Sequence, residues 1–268
     1  MVILDSAGVT DVGKKRKGNE DSLYLDDNLG LYIVADGMGG HKAGEVASRL
    51  VVDTIKDYMI RFEKQEDADE LADYDETLSK DANRVLASIL LSNKVVHQFS
   101  EKKSQYRGMG STVSTIFFAD DRYVAANVGD SPMYLIRDDI LETISVMHTV
   151  KAEQEALHPG GRVLGPEFDH MLTRAVGTKE SVTPDVSEQE CQKGDIFIMC
   201  SDGLSDKVSP EEILPIAAME KPDKACAILR DMALDRGGDD NITIVIARVK
   251  KIRAKKKGGG FLSRIMRS

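Results

Sequence analysis

Acidic residues stand at the ends of several apolar runs that the sequence predicts to be β-strands. The runs over 30–36, 122–128 and 195–200 lead into acids beside glycine, and two acidic pairs precede the runs over 22–27 and 242–249: Asp36-Gly37, Gly129-Asp130, Asp202-Gly203, Glu20-Asp21 and Asp239-Asp240. At any single strand end, Asp or Gly is ordinarily a turn former. Five such acidic ends in one chain predict a cluster of carboxylates, whose mutual repulsion requires a compensating positive charge.

The predicted cluster offers oxygen ligands, because none of these motifs pairs its acids with a histidine or cysteine partner. Oxygen donors select hard divalent cations such as Mg²⁺ and Mn²⁺. Two such ions held close together activate water for in-line attack on phosphorus. The glycine-rich stretch VADGMGGHKAG, residues 34–44, fits neither a Walker-type phosphate loop nor a dinucleotide fingerprint. Its glycines are expected to let backbone carbonyls approach the metal ions and a bulky substrate reach them.

The elements that must position these acids are predicted to be strands and helices of a layered fold. Seven strands are predicted, at 22–27, 30–36, 112–119, 122–128, 132–137, 195–200 and 242–249. Helical spacing is found over 43–62 and 80–99, and two further helices are expected, one after the cap residue Ser209 and one in PDKACAILRDMALD. Strands outnumber helices and do not alternate strictly with them, which favours an α+β fold on antiparallel sheets. Segment 145–180 is expected to be a surface subdomain or flap.

The composition is that of an ordinary globular chain, with 268 residues, 41% of them apolar and 30% charged. No apolar run approaches the roughly 20 residues that span a bilayer, and the first residues lack the pattern of a secretory signal. The cysteines Cys191, Cys200 and Cys226 cannot all pair, which fits a reducing cytosol. We therefore expect a cytoplasmic protein, and a monomer.

Charge is distributed unevenly along the chain. The net charge is −9, but residues from Lys250 onward include eight Lys or Arg and no acid, so the residues before Lys250 carry −17. An acidic body argues against nucleic-acid binding through the domain and suits either solubility or attraction of divalent cations. The stretch KKIRAKKKGGGFLSRIMRS, residues 250–268, is predicted to be a basic tail with a glycine hinge. It either contacts a partner or an anionic surface, or is a solvated end.

Taken in order, seven motifs of this chain resemble those of bacterial PPM-type (PP2C-like) serine/threonine protein phosphatases. They are RKGNED, VADGMGGHKAGEVAS, GSTVSTIFF, ANVGDS, LTRAVG, CSDGLSD and DDNITIVIARV, and they lie between about residue 5 and residue 249. The resemblance implies a phosphatase domain over 1–249, with its flap at about 145–180, followed by the tail. It also implies a central antiparallel β-sandwich flanked by pairs of antiparallel helices, which agrees with the α+β prediction.

The resemblance further implies which acids bind metal ions. It implies that Asp36 bridges two ions, that the carbonyl of Gly37 binds the second, and that two to three Mn²⁺ or Mg²⁺ ions are bound in all. The remaining ligands are implied to be Asp202 and Asp240 for the first ion, Asp130 with Asp202 for a third ion found in bacterial members, and Glu20 or Asp21 for the second ion, directly or through water. The choice between Glu20 and Asp21 stays open.

Substrate contacts are implied less completely. Arg16 falls where the family places its phosphate-binding arginine, and a planar guanidinium suits two phosphate oxygens, although it could equally be one more solvated charge. Eukaryotic relatives have a histidine where this chain has Met38. His41 is the nearest histidine; it could protonate the leaving oxygen, contact substrate, or be a surface residue. Three histidines of the flap region are expected to be structural or exposed: His148, His158 and His170.

The function predicted from these residues is metal-dependent hydrolysis of phosphoserine and phosphothreonine by direct attack of activated water. The substrates are expected to be phosphoproteins made by a serine/threonine kinase. Two alternatives remain at this stage. One is a catalytically silent relative that binds regulators, although such a protein should have lost metal-binding acids. The other is a different two-metal phosphoester hydrolase, although those usually mix histidine with carboxylate ligands.

Overall fold

The structure is a computed structural model that describes residues 1–39, 42–63, 75–160, 164–165 and 168–253. Within these residues the strands are β1 (Val2–Asp11), β2 (Asp21–Asp26), β3 (Leu31–Met38), β4 (Gly110–Ser111), β5 (Val113–Ala119), β6 (Arg122–Val128), β7 (Met133–Arg137), β8 (Ile140–Thr143), β9 (Asp185–Glu190), β10 (Ile196–Cys200) and β11 (Ile242–Ile252). The helices are α1 (Ala43–Glu63), α2 (Lys80–Lys102), α3 (Val150–Leu157), α4 (Asp202–Ser205), α5 (Pro210–Met219) and α6 (Pro222–Asp235). A short 3₁₀ turn follows α2 at Ser104–Tyr106.

The strands form two antiparallel sheets. The first sheet has the order β1-β11-β10-β7-β8, and the second has the order β2-β3-β5-β6-β9, with β4 paired to β3. Neighbouring strands are antiparallel in both sheets. The predicted α+β class with antiparallel sheets is therefore confirmed.

Three apolar cores separate four layers. Helices α1 and α2 pack on one face of the second sheet, where Val51 and Ile89 join Ile33. Helices α5 and α6 pack on the outer face of the first sheet. Between the sheets, edge-to-face aromatic contacts join Phe197 to residues of the second sheet. The expected β-sandwich flanked by helices is thus confirmed, and its central strands read as continuous apolar runs because both of their faces are buried.

The sequence predicted the longer buried strands and missed four strands: the two-residue strand β4, and β1, β8 and β9, which have polar or half-buried faces. Strand β1 pairs with β11 along its whole length, and the pairing extends to Val2 opposite Ile252. Strand β11 therefore continues three residues past the predicted end at Val249. Lys250, the first residue of the predicted tail, lies in this strand. Its Nζ forms an ion pair with Asp5 Oδ2 at 2.7 Å. Residues 254–268 of that tail lie outside the described residues.

The flap region contains the short helix α3, whose first turn is capped by Thr149. An isolated bridge between Thr149 and Leu172 joins the two sides of the segment.

The predicted cap at Ser209 is confirmed, as Ser209 and Glu212 form a capping box at the start of α5. No helix among the described residues combines the length and the apolar character that crossing a bilayer needs.

Candidate active site

The acids that the sequence singles out converge at one end of the sandwich. Strand β2 begins beside the end of β3, so that Asp21 lies opposite Asp36, and β11 begins beside the end of β10. A cavity of about 510 Å³ opens at this end, and its lining includes Arg16, Glu20, Asp36, Gly37, Asp130, His170, Asp202, Asp240 and Asn241. Asp21 is buried beside this cavity. The structure therefore brings together every predicted site residue that it describes; His41 lies outside the described residues.

The alternation of side chains between the two faces of β3 determines the direction in which Asp36 points. Tyr32 and Val34 lie in the core between the sheets, and the period of two places Asp36 on the same face. Its backbone is fixed on both sides by Thr112: the Asp36 N–H donates to Thr112 Oγ1 at 3.0 Å, and the Asp36 carbonyl accepts from the Thr112 N–H at 2.8 Å. Thr112 Oγ1 also lies 2.8 Å from Ser131 Oγ. This contact ties Asp36 to the turn that carries Asp130.

Glycine at positions 37 and 44 lets β3 and the start of α1 pack backbone against backbone. A Cβ atom on Gly37 would lie 2.0 Å from the carbonyl oxygen of Gly44, and one on Gly44 would lie 2.8 Å from the carboxylate of Glu20. The Gly37 N–H donates to the Glu20 carbonyl at 3.1 Å. These glycines therefore have a packing reason that the sequence interpretation did not include.

Asn241 organises the other side of the cavity. Its side-chain amide donates to the carbonyls of Val12 and Gly18 at 2.9 and 3.0 Å, and its Oδ1 accepts from the Glu20 N–H at 2.8 Å. One side chain thus holds the loop that carries Arg16 and Glu20 against the start of β11. Asn241 was not singled out from the sequence, although its position directly after Asp240 was a signal that could have identified it.

The cavity is short of positive charge. Burial, followed by repulsion from neighbouring aspartates, raises the pKa of Asp36 well above its ordinary value. Burial is also the largest cause that raises the pKa of Asp21 to about 6 and that of Asp202 to about 7. Burial raises the pKa of Asp130 as well. Each shift shows a carboxylate whose negative charge is poorly compensated by the protein.

The donor set of this cavity fits hard divalent cations. Asp21 Oδ1 and Asp202 Oδ1 are buried and have no hydrogen-bond partner among the described residues. Buried polar atoms without partners are uncommon in native proteins and indicate a missing ion or water. Several carboxylate oxygens converging on one volume are the ligands that Mg²⁺ and Mn²⁺ prefer. The residues present therefore fit the metal ions that the resemblance implies.

Arg16 lies at the rim of the cavity. Its Nη2 is 2.5 Å from Asp240 Oδ2, and its side chain is half-exposed. The hydrogen bond to Asp240 is the largest cause that raises the pKa of Arg16 above its ordinary value. Arg16 is thus placed where a phosphate in the cavity could reach it.

The histidines of the flap region have different environments. His148 is fully buried: its Nδ1 accepts from the Gly129 N–H at 3.0 Å, and its Nε2 is 2.7 Å from Asp185 Oδ2. His158 is exposed. These two match the structural or surface role expected for them. His170 differs, because it lines the cavity, with Nδ1 3.8 Å from Asp202 Oδ2. Its flap segment has too little periodicity for the sequence to place it there.

Comparisons with known proteins agree with this geometry. Residues 6–242 match the protein family described as protein phosphatase 2C. The serine/threonine protein phosphatase PstP of Mycobacterium tuberculosis is 35% identical over 254 residues, which cover 92% of this chain and 45% of PstP. The serine/threonine phosphatase stp of Listeria monocytogenes is 31% identical over 245 residues, which cover 88% of this chain and 92% of that protein.

A solved structure shows the same fold with metal bound. The catalytic domain of PstP in complex with two manganese ions aligns with a TM-score of 0.78 and 33% identity, covering 94% of this chain and all of that chain. The two-sheet fold and the acidic cavity define a phosphatase of the PPM class, and the chain belongs to the protein phosphatase 2C family. It spans less than half the length of the PstP protein that it matches.

Proposed function

We propose that this chain is a metal-dependent phosphatase that hydrolyses phosphoserine and phosphothreonine in proteins. The observation that carries this proposal is the convergence of five carboxylates at one cavity in a protein phosphatase 2C fold, four of them without a cation among the described residues as hydrogen-bond partner: Asp21, Asp36, Asp130 and Asp202, with Asp240, which pairs with Arg16. The relatives named as serine/threonine phosphatases support the class of substrate.

Two to three Mn²⁺ or Mg²⁺ ions are the cofactor of this activity. The residues that would hold them are Asp36 with the carbonyl of Gly37, Asp202 with Asp240, Asp130 with Asp202, and Glu20 or Asp21. When bound, such ions lower the pKa of water and stabilise the charge on the phosphate oxygens. The PstP structure with two manganese ions supports this assignment.

The chain's own residues hold and orient the substrate phosphate. Asp36 stays in place because both its backbone N–H and its carbonyl are bonded to Thr112. Arg16 binds two phosphate oxygens through its planar guanidinium, which an ammonium would hold less specifically. To do so, its guanidinium gives up the ion pair with Asp240, now at 2.5 Å, and pairs with the phosphate instead. The half-exposed position of Arg16 allows this exchange without disturbing a core.

A panel of substrates tests the proposal against its alternatives. After chelation and addition of Mn²⁺, we expect cleavage of p-nitrophenyl phosphate and of a phosphothreonine peptide, with much slower cleavage of bis-p-nitrophenyl phosphate. Preference for the bis-ester would identify a phosphodiesterase. Absence of all cleavage with Mn²⁺ would identify a silent binder, and full activity in chelator would refute the metal assignment.

We further propose a source for the substrates, a cellular compartment and a role for the basic tail. The substrates are products of a serine/threonine kinase, and the enzyme acts as a monomer in the cytoplasm. Its three free cysteines fit a reducing compartment. The basic residues of 254–268 contact a partner or an anionic surface and are not needed for chemistry. Deleting 254–268 rather than 250–268 preserves strand β11. Turnover of p-nitrophenyl phosphate should be unchanged in this deletion, and its loss would show that these residues belong to the catalytic domain.

A further inference from the structure

His170 lies at the boundary between the active-site cavity and a second cavity of about 280 Å³ beside helix α3. Asp130, His170 and Asp202 line both cavities. One ring nitrogen of His170 and one carboxylate oxygen from each aspartate lie within 4.8 Å of one another. Two metal–ligand bonds of about 2.1 Å span at most about 4.2 Å. A small movement of the side chains therefore brings all three atoms onto one ion.

The two ring nitrogens of His170 face different carboxylates. Nδ1 lies 3.8 Å from Asp202 Oδ2, on the side of the active-site aspartates, and Nε2 lies 3.4 Å from Asp206 Oδ2. A histidine that binds a metal ion normally donates its other ring N–H to a carboxylate, which fixes the tautomer and the ring orientation. Asp206 is placed for this role, because it lies on the Nε2 side of the ring while Nδ1 faces Asp202.

A further donor atom at this site has no partner. Asp202 Oδ1 is buried without a hydrogen bond among the described residues, and Asp130 is only 7% exposed. A buried carboxylate oxygen without a partner is costly unless a cation or a donor completes it. The site thus combines two buried oxygen donors with a nitrogen donor that comes from the flap.

The flap segment that carries His170 is attached to helix α3. Lys151 of that helix lies 3.0 Å from Asp169 Oδ1, and the Val150 N–H donates to the Met171 carbonyl at 2.9 Å. The residues on both sides of His170 are therefore tied to the same helix. A metal bond to His170 would join this part of the flap to the acids of the sandwich.

We infer that His170 is a nitrogen ligand of the third ion, with Asp206 as the carboxylate that orients its ring, so that this site takes Mn²⁺ in preference to Mg²⁺. The inference rests on the proposed metal-dependent function and goes beyond it, since that function needs oxygen ligands alone. Mn²⁺ also prefers oxygen but accepts an imidazole nitrogen among its ligands more readily than Mg²⁺, which is bound almost entirely by oxygen. The third site is then selective for its metal, and the ion in it links the flap to the catalytic acids.

Pulsed electron paramagnetic resonance of the full chain loaded with Mn²⁺ tests this bond directly. A coordinated imidazole adds a ¹⁴N modulation to the Mn²⁺ signal, which a merely neighbouring histidine does not. We expect this modulation in the wild type and in His158→Asn, which changes an exposed histidine at the end of α3. It should be absent in His170→Asn. No modulation in the wild type, or its persistence in His170→Asn, would overturn the inference.

Calorimetric titration with Mn²⁺ and with Mg²⁺ gives the affinity. His170→Asn should weaken the weakest Mn²⁺ step by about tenfold or more and change the Mg²⁺ steps little, and Asp206→Asn should weaken the same Mn²⁺ step by about tenfold. Unchanged Mn²⁺ steps in His170→Asn would overturn the inference.

Phosphopeptide cleavage is assayed separately. Cleavage without any ¹⁴N modulation refutes the role of His170 alone, whereas Mn²⁺ binding without cleavage refutes the proposed function.

Discussion

Strand β10 has an aspartate near each of its ends, and the two have opposite surroundings. Before the strand, Asp195 is 1% exposed and accepts hydrogen bonds from Arg137 Nε at 2.9 Å, Arg137 Nη2 at 2.6 Å and the Gln192 N–H at 2.7 Å. After the strand, Asp202 has a buried oxygen with no hydrogen-bond partner in the described part of the chain. Burial and the neighbouring Asp130 and Asp240 raise its pKa to about 7.

The difference distinguishes a carboxylate that stabilises the fold, Asp195, from one that is available to bind a ligand, Asp202. Asp195 receives a bidentate cation from the protein itself, a geometry typical of strong charge-assisted pairs. Asp202 Oδ1 has no such partner among the described residues, and we propose that a bound metal ion compensates the charge of this carboxylate. The Asp202 side chain is 23% exposed and that of Asp195 1%, but the clearer difference is that a cation of the protein pairs with Asp195, whereas the buried oxygen of Asp202 has no partner among the described residues.

The largest effect is expected at the catalytic end. Asp36→Asn should reduce turnover by roughly 10³-fold or more, because an amide offers one neutral oxygen where two anionic oxygens are needed. The protein should stay folded, since the change is nearly isosteric and relieves repulsion among buried carboxylates. Turnover in saturating Mn²⁺ and the melting temperature in chelator are the paired measurements. An active and folded Asp36→Asn enzyme would contradict the assignment of this cavity.

The matched change at the opposite end should act on stability and leave chemistry intact. Asp195→Asn removes the anionic partner of Arg137, whose side chain is only 25% exposed, and should lower the free energy of unfolding by about 3 kcal/mol. Urea unfolding measures this loss, and it should be equal with and without Mn²⁺. Turnover per folded molecule should be unchanged. A large loss of turnover at full stability would break the comparison between the two ends.

The pH dependence of stability should also distinguish the metal-free from the metal-loaded protein. In chelator, Asp21 with a pKa of about 6 and Asp202 with a pKa of about 7 hold protons in the folded state that an unfolded chain has released above about pH 4. The folded state therefore binds more protons, and these groups make stability fall as the pH rises from about 5 to 7. Buried His148, whose pKa is lowered by burial, opposes this trend.

Comparing the two metal conditions removes the contribution of His148, which is common to both. The melting temperature with Mn²⁺ minus that in chelator should increase from pH 5 to pH 7, because the ions displace the protons of the carboxylates. In Asp36→Asn this increase should be smaller. A difference that stays constant with pH would show that the carboxylates of the cavity do not bind the metal.

The smallest effect is expected at the rim of the cavity. Arg16→Ala should raise KM for a phosphopeptide by about tenfold, roughly the value of one charge-assisted hydrogen-bonded pair, with little change in melting temperature because Arg16 is half-exposed. Lys17→Ala, a change of a neighbouring exposed charge, is the control and should leave KM unchanged. Equal effects of the two variants would make Arg16 one surface charge among several.

The buried strands and the amphipathic helices were predictable from the sequence because their patterns are local. Strand β3 is a continuous apolar run, and α1 and α2 begin and end close to the predicted bounds. Strands β1 and β9 were missed because their half-buried, partly polar faces lack a strong period of two. Strand β11 extends to Ile252 because β1 is there to pair with it, a contact between the two ends of the sequence.

The acids of the site were named from the sequence because each stands beside a strand whose end is visible in its composition. Asp36, Asp130 and Asp202 are examples, and the resemblance of their motifs to one family supplied the roles expected of them. All three stand at the end of a predicted apolar strand and beside a glycine, so the local sequence pattern is enough to identify them.

The surroundings of each acid came from the tertiary structure alone. Arg137 reaches Asp195 across 58 positions of sequence, and nothing in either motif indicates that the pair forms. His170 lies beside Asp202 because part of the flap region lines the cavity, although its own segment shows only weak periodicity. Charge compensation depends on distances through space, so the chain order shows where a carboxylate stands, and only the packed layers determine whether a cation of the protein reaches it.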